Sequence, residues 1–196
     1  DVGLRFKSTR GRGGAVENIY IDNIAMNDIA QEPLLFDLFY GGKSASEALA
    51  DGDEAEATDM ALKPVDETTP RFREIHIRDV WCRGARRAML FNGLPEMNVE
   101  NVTVENVSIS SELGAQINES TGVVLRNVTV YPRKGEALMM NNVRNVKVEN
   151  FICPEGMESA LRVTGSRNEA VEVESAWIST ENASLSKGAA KAVVLK

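Results

Sequence analysis

A chain of 196 residues that is 43% apolar and 26% charged can bury a core of ordinary domain size, so a single domain over residues 1–196 is expected. Its formal charge of −7 excludes nonspecific attraction to nucleic acid or to an anionic membrane surface, because both need a basic face. No apolar run approaches the roughly 18 residues of a membrane span, and no signal-peptide pattern opens the chain. The first residues, Asp1-Val2-Gly3-Leu4, already read as strand and lack an initiator Met, so the chain is expected to be the C-terminal part of something larger.

Residues 1–14 hold the one strongly basic patch, Arg5, Lys7, Arg10 and Arg12 against Asp1 alone. Alternation puts Leu4 and Phe6 on one face of a strand and Arg5 and Lys7 on the other. A planar guanidinium beside a compact ammonium suits a carboxylate or phosphate, although a solvated strand face carries the same residues. Gly11, Gly13 and Gly14 then permit a tight exit.

From Ile19 onward an eight-residue phrase recurs: apolar, x, apolar, x, small polar, apolar, x, apolar. Its six copies begin at Ile19, Ile75, Val102, Val123, Val146 and Val171. Period-2 alternation marks a strand with one buried face, and the phase break in mid-phrase marks a bend. Asn23, Asp79, Asn106, Asn127, Asn150 and Ser175 stand at that bend. Asn and Asp tolerate the left-handed backbone a sharp corner needs. The later intervals of 27, 21, 23 and 25 residues suit one turn of a solenoid, whereas the first, 56, is a turn plus an insertion. A β-sandwich would not keep one corner type at one phase through six copies, and leucine-rich repeats use another spacing. An all-β, right-handed parallel β-helix of about six turns follows. Eight residues past each phrase, Leu34, Leu90, Ile117, Leu138 and Leu161 mark a third strand, while Ser186 in that place suggests a frayed or capped last turn.

The insertion, residues 43–70, is rich in Ala, Asp, Glu, Thr and Pro, and a short capped helix fits its start at Ser44. It reads as a solvated loop able to wall a cleft. Its acidic run, Asp51 to Glu56, lacks the spaced ligands of a calcium loop, so no metal is expected. Cys82 and Cys153 fall in one apolar column three turns apart, about 14 Å at the usual strand spacing, which predicts reduced core thiols.

Leu4-Arg5-Phe6-Lys7-Ser8, with Gly11-Arg12-Gly13-Gly14 and Val16-Glu17-Asn18-Ile19 after it, resembles the Arg-x-Lys motif of glycoside hydrolase family 28, the polygalacturonases and their pectin-degrading relatives, which are built on a right-handed parallel β-helix. The motif match covers residues 1–40; beyond them only the repeat supports it. The resemblance implies inverting hydrolysis of pectin-type polygalacturonate, an acidic polysaccharide as partner, no cofactor, and a secreted or periplasmic location. It also implies that Arg5 and Lys7 contact the carboxylate of a substrate sugar and that Tyr40 lines the same subsite, although Tyr40 equally fits a core or cleft-wall aromatic.

Inversion needs an acid and a base about 6.5–9.5 Å apart. The family's Asn-x-Asp, Asp-Asp and Gly-His-Gly motifs, which stand upstream of its Arg-x-Lys strand, do not occur here. No catalytic residue is therefore assigned, the chain alone should be inactive, and the N-terminal half of the same β-helix is an expected partner. Asp37 reads as the only carboxylate beside the cleft strands, and His76 as a solvated outward residue. Two other classes stay open: a noncatalytic β-helix that binds carbohydrate or serves as a structural surface protein, and a β-helical polysaccharide lyase.

Overall fold

The computed structural model describes residues 1–39 and 62–196. Tyr40, the helix fitted to the start of the insertion and its acidic run lie outside the described residues. Thirteen strands make up the fold, with no helix among the described residues: β1 (Leu4–Lys7), β2 (Ala15–Ile29), β3 (Leu34–Asp37), β4 (Arg71–Ala85), β5 (Arg87–Asn92), β6 (Val99–Ser111), β7 (Leu113–Thr121), β8 (Val124–Pro132), β9 (Leu138–Ile152), β10 (Leu161–Thr164), β11 (Glu169–Glu174), β12 (Ala183–Leu185) and β13 (Val193–Leu195).

All the strand pairs are parallel, and the coils stack into a parallel β-helix of about five turns, one for each interval between the six phrase copies. One stack runs β1, β3, β5, β7, the first half of β9, β10 and β12. The phrases form the other: β2, β4, β6, β8, the second half of β9, and β11. Register follows the repeat residue for residue, so Ile19 faces Ile75, Ile75 faces Val102, and Val146 faces Val171. Inward positions of the middle copies are almost wholly buried, such as Ile75, Val80, Val107 and Val128. Each such side chain contributes about 1.5–3 kcal/mol.

The bend has the conformation its residue types suggest. Asn23, Asp79, Asn106, Asn127 and Asn150 have φ of 60°, 55°, 54°, 52° and 53°. Because one corner stacks on the next, their side chains bond to one another: Asn106 Nδ2 donates to Asp79 Oδ1 (3.1 Å), Asn127 to Asn106 (3.0 Å) and Asn150 to Asn127 (3.0 Å). A second corner lies five residues earlier, where Asn18, Glu74, Asn101, Gly122, Asn145 and Ala170 also have positive φ. A Cβ on Gly122 would lie 2.3 Å from Asn101 Oδ1, so any side chain there would have to push that amide aside.

Three expectations change. The sixth copy stops at its bend: β11 ends at Glu174, Ser175 Oγ donates to Phe151 O (2.6 Å) and accepts the N–H of Trp177, and Ala176 is exposed. The third-strand column is not at a constant offset. Leu34 faces Met89, Leu35 faces Leu90, and Leu138 faces Ala115 rather than Ile117, because the connection before each strand differs in length. The last turn is neither frayed nor empty at that column, since Ala183 and Leu185 stack on Leu161 and Val163 while Ser186 starts a turn that bonds Ala189 and Ala190.

The two thiols are free and buried, and burial pushes both up from the ordinary thiol range. They share an inward column with Ile109 and Val130 between them.

Asn127→Ala loses both ladder bonds and holds the left-handed region with a residue that lacks the short polar side chain which makes Asn tolerant of it, a combined cost of about 2 kcal/mol. Asn127→Gly loses the bonds without that backbone penalty and should cost about half as much. Urea midpoints of the two variants test this, and equal destabilisation would show that the corner conformation carries none of the cost.

Candidate functional site

Strand β1 lies against β3 with Leu4 facing Leu34, Arg5 facing Leu35, Phe6 facing Phe36 and Lys7 facing Asp37. Inside, the Phe6 and Phe36 rings stack at 4.7 Å and 3°, and Phe36 meets Phe91 at 4.5 Å. This aromatic column makes a stiff floor under the outward residues. Arg5 and Lys7 are both exposed on the outer face, and the Arg5 side chain has no hydrogen bond or ion pair among the described residues. The structure thus places these two predicted site residues side by side, while Tyr40 lies outside the described residues.

Lys7 stands at the head of a polar column. Asp37 Oδ1 accepts from the Phe39 N–H (2.9 Å) and from Asn92 Nδ2 (3.3 Å), and Asn118 Nδ2 reaches Asn92 Oδ1 at 3.4 Å. Asn92 and Asn118 are buried, so these amides complete each other where water is absent. Asp37 is therefore engaged in holding a strand end.

The remaining basic residues divide. Arg10 is closed by Glu96, with Nε to Oε1 at 2.6 Å and Nη2 to Oε2 at 2.9 Å, and its guanidinium lies 5.5 Å from the centre of the Phe39 ring. Burial alone would raise the Glu96 carboxyl, but the Arg10 hydrogen bonds and charge outweigh it and hold the group below its ordinary value. Arg10 is a clamp across 86 residues of sequence. Gly13 donates to Thr68 O (2.8 Å), and a Cβ there would lie 2.2 Å from Glu67 O, so the glycines do provide a tight exit from β1.

No family model, curated protein or solved structure matches the chain. Its chemistry has to come from its own residues.

Asp37 is not the only carboxylate beside these strands. Glu32 and Glu136 each stand two residues before a strand of the same stack, and both are buried. Glu136 pairs with Arg162, and Glu32 lies 3.8 Å from Arg87. Burial raises Glu32 above its ordinary value; Arg87 and Arg86 oppose this and Asp37 adds to it. Glu119, one residue past Asn118, is likewise raised by burial, although it accepts from Asn142 (2.7 Å) and pairs with Arg167. None of the three has a motif around it, and alternation alone cannot tell a glutamate folded back over a corner from one in water.

His76 points outward as expected but is only half exposed, because the Tyr20 ring stacks on it at 4.8 Å. Among the described residues no three His, Cys, Asp or Glu side chains gather to hold a metal ion.

A raised carboxyl is stabilising below its unfolded value of about 4.5, and that contribution is lost as pH rises through the folded value. Glu32→Gln removes the charging step. Relative to the parent, the variant should therefore gain stability as pH rises above about 4.5 in urea titrations; a difference that does not change with pH would overturn the assignment of Glu32 as a carboxyl raised by burial.

Proposed function

We propose that this β-helix holds an acidic, pectin-type polysaccharide by a sugar carboxylate at Arg5 and Lys7, as the substrate-binding part of a polygalacturonase-like glycoside hydrolase. The observation that carries the reading is the pair itself. Two cations stand two residues apart on one exposed face of a strand whose inner side is locked by stacked phenylalanines, with the Arg5 guanidinium open among the described residues. A rigid strand sets their separation before ligand arrives, so little ordering cost is left for binding. A carboxylate can take a forked bond from Arg5 and a point charge from Lys7.

The reaction itself is inversion at a sugar carbon by an acid and a base, and the paired aspartate motifs for it are not among the 196 residues. This chain then positions substrate and does not cleave it. A noncatalytic carbohydrate-binding β-helix is the second reading, favoured by that same lack.

Arg5→Ala should weaken binding of galacturonate oligomers by about tenfold or more, the scale of a lost charge-assisted hydrogen bond of ~1.5 kcal/mol. Calorimetric titration measures it, and unchanged affinity removes Arg5 from the site. The chain alone should release no reducing sugar from polygalacturonate. Turnover that Glu32→Gln abolishes would instead make Glu32 the acid of a cleavage site within this chain.

A further inference from the structure

The second half of each phrase presents its own outward face, on a different sheet from Arg5 and Lys7. One outward column there is Ala25, Trp81, Ser108, Thr129 and Ile152, and the column beside it is Asn27, Arg83, Ser110 and Tyr131. Trp81 is 49% exposed and Tyr131 47%. Two large aromatics open to water on one flat face, with hydroxyl side chains between them, have no role in the core.

Beside them, where this sheet turns toward the next stack, lies a groove of about 590 Å³ lined by Arg83, Arg86, Ser110, Tyr131 and Arg133. Its carboxylates are Asp28 and Glu112. Glu112 lies 3.5 Å from Arg133 and 3.7 Å from Lys134, and Arg86 donates to Gln31 (2.9 Å). Arg83 is exposed, and its side chain has no hydrogen bond or ion pair among the described residues. Positive charge is in excess here on a chain whose net charge is −7.

We propose that this face is a second saccharide site, which takes a chain of carboxylate-bearing sugars. The C–H face of a sugar ring packs on Trp81 or Tyr131, its hydroxyls meet Ser108, Ser110 and Thr129, and Arg83 takes the carboxylate as a fork. Trp81 and Tyr131 are two strand spacings apart and offset by two residues along the strand, about 12 Å, so one extended oligosaccharide can touch both. A dense polyanion such as nucleic acid is disfavoured by the net charge of the whole chain. The ligand class rests on the polysaccharide reading given above; the site itself does not.

The test titrates the full chain with galacturonate oligomers, with neutral glucose oligomers and with single-stranded DNA, comparing Trp81→Ala, Arg83→Gln and the double variant Arg5→Ala/Lys7→Ala. All four side chains are on the surface, and circular dichroism checks that the fold is kept. Trp81→Ala and Arg83→Gln should each weaken galacturonate binding at this face by tenfold or more and leave the binding that depends on Arg5 and Lys7 unchanged. Arg83-dependent binding that survives while Arg5 and Lys7 prove silent removes the first site and supports this one. Affinity that does not change in Trp81→Ala and Arg83→Gln, equal affinity for glucose oligomers, tighter Arg83-dependent binding of DNA, or no galacturonate binding at millimolar concentration would each overturn the proposal.

Discussion

A parallel coil closes into the next turn only where its backbone can bend sharply, and in a stack every turn must bend at the same place. The corner is therefore the constraint from which the rest follows. An L-residue enters the left-handed region at a cost of about 1–2 kcal/mol, and here Asn and Asp occupy it in five successive turns. Stacking then brings amide to amide at hydrogen-bonding distance. The corner sets the length of the strands on either side, which decides which side chains face the core and which face water.

Register is reinforced on the outer face. The column Asp22, Arg78, Glu105, Arg126 and Glu149 alternates in sign, with ion pairs between Arg78 and Asp22 (3.1 Å) and between Arg126 and Glu149 (2.7 Å). Exposed pairs of this kind are each worth about 0–1 kcal/mol. Their value lies in discrimination: a coil shifted by one turn would set like charges opposite each other.

The main features of this fold could be read in the residues because one phrase carries both strands and their bend, and because Asn and Asp are distinctive at that bend. The earlier corner was not legible. Asn18, Asn101 and Asn145 alternate there with Glu74, Gly122 and Ala170, which share their conformation without sharing a chemistry, so the pattern is broken at every second turn. Leu90 and Ile117 were misaligned for a related reason, since connections of unequal length shift an apolar column without making it less apolar. Alternation was enough to place Arg5 and Lys7 outward. It was silent on Glu96, which takes Arg10 out of the basic patch, and on Glu32 and Glu136, because folding back over a strand end depends on partners far away in sequence.

The side-chain ladders also have a sense. Asn150, Asn127 and Asn106 pass their N–H groups one way, toward Asp79; Asn101 does the same to Glu74, Asn142 to Glu119, and Asn118 through Asn92 to Asp37. Each series ends on a carboxylate, which in its charged form has no proton to hand on and so acts as a terminator. Within each series the amide dipoles add instead of cancelling; Asn141, stacked on Asn118, turns its Nδ2 the other way, to Thr164 Oγ1 (2.8 Å), while the Asn142 ladder leaves a carbonyl oxygen facing the following turn. Asn142 Oδ1 meets the N–H of Arg167 there at 3.1 Å. The turns of this helix are consequently not interchangeable: one moved to the other side of a terminator would bring an oxygen to where its neighbour expects a donor.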